Sequence, residues 1–174
     1  MKKLGLYVQV GHDPEVQSKL LRLKPALVVV HLDGDLPGWI ARALPDTFIV
    51  GRHWWAPEQQ ESLLYTPGAA LAQFVLQQKG AAQCQALMLF NEFLPSPYEA
   101  GWVHIDGKQD KPQDRDWRAK AERYDALQVE YLEALRREGK EAVAFNFGAG
   151  NWSHVQWYKD LQPLAAALQL KAGG

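Results

Sequence analysis

Five short apolar runs set the strongest limit on what this chain can fold into: Leu4 to Val10, Ala26 to Leu32, Thr47 to Val50, Ala86 to Phe90, and Ala142 to Phe147. They are rich in Val, Ile, Leu and Phe and largely lack polar alternation, which is the pattern of strands covered on both faces. Between them, and after the last, lie segments with helical spacing: Glu15 to Leu23, Gly38 to Ala43, Gly68 to Lys79, Trp117 to Glu138, and Val155 to Leu170. The order βαβαβαβαβα predicts an α/β fold with a parallel sheet rather than an α+β arrangement. In the longest helical segment Tyr124, Leu127, Tyr131 and Leu135 recur at three- and four-residue steps, and Gly139 is placed to end the helix. Pro163 falls inside the last segment, so that helix is expected to start near Leu161 or to bend.

A chain of 174 residues with 47% hydrophobic and 22% charged residues suits one packed domain, read here as a single βα-repeat unit over 1–174. The stretch 95–116, with Gly101, Gly107, Pro112 and many charges, reads as a long loop inserted after the fourth strand. A formal charge of -1 offers no electrostatic attraction to nucleic acid or to an anionic membrane, so neither partner is expected. The single Cys84 excludes an intramolecular disulfide and a cysteine-based metal site. The run Leu4 to Val10 is short, contains Gln9 and lacks a cleavage signature, so it reads as a strand and not as a signal peptide. No run approaches the roughly 18 apolar residues of a membrane span. A cytoplasmic protein is therefore expected.

In parallel α/β folds ligands bind beyond the carboxyl ends of the strands, where loops vary without disturbing the core. Polar, titratable and aromatic residues gather at that end of all five predicted strands. Gly11, His12 and Asp13 follow the first; His31, Asp33 and Asp35 mark the second; Arg52, His53, Trp54 and Trp55 follow the third. The fourth runs into Asn91 and Glu92, and the fifth supplies Asn146 and then Asn151, Trp152 and His154. The opposite ends carry Lys3, Pro25 and Glu141. Seven tryptophans in so short a chain, several beside Gly, Pro, Asn or His, point to ring stacking on a ligand.

With Asn91-Glu92 at the end of the fourth strand, the chain resembles the clan A glycoside hydrolases, which are (β/α)8 barrels with an Asn-Glu pair at this place. The resemblance implies that Glu92 is the general acid/base and that Asn91 binds the sugar 2-hydroxyl, a contact that tightens in the oxocarbenium-like transition state. It implies further that Trp54, Trp55 and Trp152 stack on sugar faces, with Trp102 available in the long loop. His31, Arg52 and His53 would shape the floor of the pocket, with Asn146 beside them. The expected partner is a carbohydrate substrate.

The chain departs from that family in its length. The family's second carboxylate comes from strand seven, whereas only five strand signals occur here, about five-eighths of a barrel of about 250 residues. Three arrangements follow: a fragment of a longer chain, a barrel completed by a second chain, or a reduced sheet that binds without catalysing. The fragment is the expected one, because open strand edges invite aggregation. In it, hydrolysis by the isolated chain would be slight. Asp33-Gly34-Asp35 reads as a turn, although either Asp, following strand two, can be weighed as a second carboxylate.

Two other functions fit the residue pattern. His12, His31, His53 and Glu92 would suit a divalent ion in a metal-dependent hydrolase or isomerase, and the tryptophans alone would suit a carbohydrate- or peptidoglycan-binding module. No cofactor is expected: Gly148-Ala149-Gly150 lacks the third glycine and the acidic partner of a dinucleotide loop. No Gly-x-Ser-x-Gly elbow is present, and Cys84 has no activating histidine nearby in sequence.

Overall fold

A computed structural model describes residues 4–8, 13–56, 59, 62–90 and 117–143. Five parallel strands form one sheet in the order of the sequence: β1 (Gly5–Val8), β2 (Leu27–His31), β3 (Phe48–Arg52), β4 (Ala86–Met88) and β5 (Glu141–Val143). Among the described residues the α-helices that connect them include α1 (Pro14–Leu23), α2 (Leu36–Ala43), α3 (Gly68–Leu76) and α4 (Trp117–Arg137). The helix expected over Val155 to Leu170 lies outside the described residues, as does the whole loop 95–116.

Each connection steps to the next strand in the same direction. Because βαβ crossovers are right-handed, such a series places every helix on one face of the sheet. The core agrees. Val28, Val30, Ile49 and Leu87 point from the strands into one cluster with Leu20 of α1, Ile40 of α2, Leu71 and Val75 of α3, and Leu127 and Leu135 of α4. All of these are 3% exposed or less, so each contributes about 1.5–3 kcal/mol by burial. The alternate strand positions, Val29, Val50, Ala86, Met88 and Val143, form a second, smaller cluster on the other face.

Local chemistry fixes the helix ends. Asp13 Oδ1 accepts the Glu15 amide at 2.8 Å, Pro14 opens α1, and the left-handed Lys24 (φ 44°) closes it with its amide on Leu20 O. At the far end of α4, Gly139 adopts φ 69° and Lys140 N returns to Leu135 O at 2.9 Å. The amide of Gly68 at the start of α3 is accepted by Glu130 Oε2 of α4 at 2.6 Å. Arg123 ties the same helix pair together, donating to Glu130 Oε1 and to the carbonyls of Leu64 and Thr66.

β3 extends two residues beyond the apolar run Thr47 to Val50 that marked it, through Gly51 and Arg52. Gly51 is required by packing. A Cβ there would collide with the Leu32 side chain and stand 2.7 Å from Cys84 Sγ. Cys84 is buried and bonded to Gly80 O, and burial pushes its thiol pKa up to about 12. No helix among the described residues is long and apolar enough to cross a membrane.

Candidate functional site

The extension of β3 brings the first two polar residues of the site into register. His31 is the last residue of β2, Arg52 the last of β3, and the two are direct neighbours in the ladder. With a side-chain period of two, both lie on the face away from the helices, in line with Val29 and Val50. Arg52 Nη2 approaches His31 Nε2 at 3.0 Å and Arg52 Nε at 3.3 Å. A guanidinium can only donate, so Nε2 accepts. The neutral imidazole then carries its proton on Nδ1.

Tyr7 completes this group from β1. Its ring centroid lies 4.9 Å from the Arg52 guanidinium carbon, a cation–π contact. Arg52 is only 3% exposed, so its charge acts at short range and with little screening. The His31 pKa is held below 6.5, first by partial burial and then by the Arg52 charge and His53, with Asp33 opposing. The role of Tyr7 escaped a reading based on residues beyond the strand ends. Its signal was the strand alternation, which puts Tyr7 opposite in facing to Leu6 and Val8.

His53 and Trp55 are placed differently. The chain leaves β3 at Arg52, and His53 packs edge-on against Trp55 at 4.5 Å and against Phe74 of α3 at 5.0 Å. Trp55 is tilted on Phe74 and donates its Nε1–H to Leu89 O at 2.7 Å, just past β4. This trio therefore sits on the helix side. Partial burial lowers the His53 pKa, Asp33 again opposing, and Nδ1 is buried with no hydrogen-bond partner among the described residues. Trp54, between them, is 57% exposed and has its ring available to a ligand.

The structure thus brings together His31 and Arg52, adds Tyr7, and divides His53 and Trp55 from them. Asp33 is exposed in the bend after β2, while Asp35 pairs with Lys79 at 2.5 Å, in the turn that follows α3. Asn91, Glu92, Asn146 and Trp152 lie outside the described residues, as do His12 and Trp102. Among the described residues no group of three or more His, Cys, Asp or Glu is arranged to hold a metal ion. The groups left open at the site, an imidazole N–H and an exposed indole, suit a ligand that carries oxygen acceptors and an apolar face. No family model, curated protein or solved structure matches the chain.

Proposed function

We propose that the chain is part of a (β/α)8 barrel of the clan A glycoside hydrolase kind and that the carboxyl-terminal edge of its sheet binds a carbohydrate. The observation that carries this reading is the unbroken order β1-β2-β3-β4-β5, all parallel, with the helices packed on one face. A doubly wound sheet reverses its strand order and carries helices on both faces, whereas a barrel steps always in one direction. The gathering of His31, Arg52 and the exposed Trp54 at one strand edge adds to it.

In this reading Trp54 stacks on a pyranose face, and His31, held from behind by the buried Arg52, offers an N–H group to a ring hydroxyl. His53 and Trp55 support that floor from the helix side. Asn91 holds the 2-hydroxyl. Glu92 gives its proton to the glycosidic oxygen as the bond to the anomeric carbon breaks, then takes a proton from the water that attacks the same carbon. Asn146 and Trp152 are assigned further contacts with the sugar. A second carboxylate, which the family takes from strand seven, supports the cationic carbon.

Titration calorimetry of the 174-residue chain against neutral β-linked hexasaccharides of glucose, xylose, mannose and N-acetylglucosamine tests the reading. Binding that survives Glu92→Gln and weakens about tenfold, or about 1.4 kcal/mol, in Trp54→Ala is the expected result. Absence of binding to all four overturns it. Hydrolysis that persists in Glu92→Gln removes that residue from the acid/base role.

A further inference from the structure

We propose that Arg52 is a positioning residue which holds His31 as the neutral Nδ1–H imidazole, so that His31 presents one fixed hydrogen-bond donor to a ligand oxygen. The proposal rests on the carbohydrate reading for the nature of the ligand, but its geometric half does not. Nε2 of His31 is committed, since two donors of Arg52 converge on it at 3.0 and 3.3 Å. Among the described residues Nδ1 makes no hydrogen bond, and His31 as a whole is partly exposed. A free neutral imidazole exchanges between its two tautomers and offers a donor or an acceptor at either nitrogen. With Nε2 closed, the only polar atom of His31 left to a ligand is the Nδ1–H.

The arrangement spans four strands. Tyr7 of β1 lies against the guanidinium, and Met88 of β4 is the ladder neighbour of Arg52 on the other side. The charged and titratable groups around His31 are Arg52 on β3, His53 just beyond it, and Asp33 in the bend that follows β2; the first two disfavour the imidazolium and Asp33 favours it. Protonation would turn Nε2 from acceptor to donor directly opposite a guanidinium and so break the contact. A site built this way distinguishes ligands by whether they place an acceptor, such as a hydroxyl or amide oxygen, at Nδ1. A ligand that offers only a donor there is rejected, because the N–H is left unpaired.

Nitrogen-15 NMR of the full chain reads the tautomer directly, since the two ring nitrogens of a neutral histidine resonate far apart and their order identifies the protonated one. The expected spectrum shows His31 as Nδ1–H above pH 7 in the free protein. In Arg52→Met the population shifts towards Nε2–H and the titration midpoint of His31 rises towards 6.5, its ordinary value. A wild-type His31 in the Nε2–H form, or a tautomer and midpoint unchanged in Arg52→Met, overturns the proposal whether or not any sugar binds. Two further variants test the ligand half without relying on Arg52. His31→Asn keeps an amide N–H at the place of Nδ1, and His31→Gln keeps an acceptor for Arg52 at the place of Nε2 but has no donor at Nδ1. Affinity for the hexasaccharide that binds best stays within about threefold in His31→Asn and falls about tenfold in His31→Gln. The reverse order overturns the donor role. A fixed Nδ1–H tautomer in a chain that binds none of the hexasaccharides strikes the carbohydrate reading and leaves the role of Arg52 standing.

Discussion

Glu130, near the middle of α4, accepts the backbone amide of Gly68 at the first turn of α3 at 2.6 Å. Pro67 precedes that turn and supplies no side-chain cap, so the carboxylate of another helix takes over the part an Asp or Ser would play in sequence. Arg123 holds the second oxygen of the same carboxylate at 2.7 Å. The pair α3–α4 is therefore joined by a charge-assisted cap as well as by apolar packing.

Glu130→Ala is expected to destabilise the chain by about 1–2 kcal/mol in urea unfolding at pH 7. This is the cost of a hydrogen-bonded charge that is partly open to solvent. Arg123 first, and then the Gly68 amide, hold the Glu130 carboxyl below its ordinary pKa. The unfolded chain therefore takes up the proton first on acidification. The stabilisation is complete above the unfolded carboxylate value and disappears as pH falls through the folded one. Unfolding curves from pH 7 to 3 should lose part of their acid slope in the variant, and an unchanged slope would exclude the linkage.

Gly68→Ala should cost more than its helix propensity returns. A Cβ at this position would stand 2.5 Å from Glu130 Cβ, 2.7 Å from Tyr131 N and 2.8 Å from Leu127 O. Two of those three neighbours are backbone atoms that cannot swing aside, so α3 must move off α4. Against a propensity gain of about 1 kcal/mol, overpacking of this kind costs about 1–3 kcal/mol or more. A net loss near 2 kcal/mol is expected, read as a lower urea midpoint; a raised midpoint would show that the helices separate easily.

The parallel α/β class and the positions of all five strands were legible because runs such as Val28 to Val30 carry no polar break, but the expected cover on both faces is not seen: Tyr7, Leu27 and Phe48 are exposed. The helix α4 was equally plain from Tyr124, Leu127, Tyr131 and Leu135. The end of β3 was not, since Gly51-Arg52 reads as loop chemistry. Only the contacts of Gly51 with Leu32 and Cys84 show why a glycine belongs in that strand. The strand ends did point to His31, Arg52, His53, Trp54 and Trp55. What sequence could not convey was which way each side chain turns: His31 and Arg52 to one face, His53 and Trp55 against Phe74 on the other. α3 was expected to reach Lys79 and stops at Leu76. Lys79 instead follows the helix and pairs with Asp35, a contact between segments far apart in the chain that periodicity does not report.

His53→Phe separates packing from titration. The imidazole touches Trp55 and Phe74 by its ring edges, and its Nδ1 is buried without a partner among the described residues. A phenyl ring keeps the aromatic contacts and removes the orphan nitrogen. Partial burial holds the His53 pKa below 6.5 in the folded chain, so the unfolded chain binds the proton first as pH falls. Stability should decline below about pH 6.5 and level off beneath the folded pKa. In His53→Phe that decline should shrink to the part owed to His31, with stability at pH 7.5 equal or higher. A loss of about 1 kcal/mol or more at pH 7.5 would mean that the imidazole makes a polar contact of its own.

Cys84 should be chemically silent in the folded chain. Burial pushes its thiol pKa up to about 12, only partly countered by the nearby Lys140, so the thiolate is essentially absent at pH 8. Mass spectrometry after iodoacetamide at pH 8 should show no adduct on native protein and one on protein in urea. Fast labelling of the native chain would show that the β3–β4 packing opens readily. At alkaline pH the unfolded chain loses this proton before the folded one, so stability should fall as pH rises above about 8.5.

The adjacent tryptophans Trp54 and Trp55 should divide binding from stability. Trp55 is fixed by its Nε1 bond to Leu89 O and by contact with His53 and Phe74, whereas Trp54 is 57% exposed. Trp55→Ala removes a half-buried indole together with its bond at the end of β4 and should cost about 3 kcal/mol. Trp54→Ala should change stability by less than about 0.5 kcal/mol while weakening the best hexasaccharide about tenfold. Because Trp54→Ala leaves the fold intact, its loss of affinity cannot be assigned to unfolding, and urea curves recorded beside the calorimetry make that distinction. Equal destabilisation by the two variants would place Trp54 in the packing and leave the candidate site without its stacking surface.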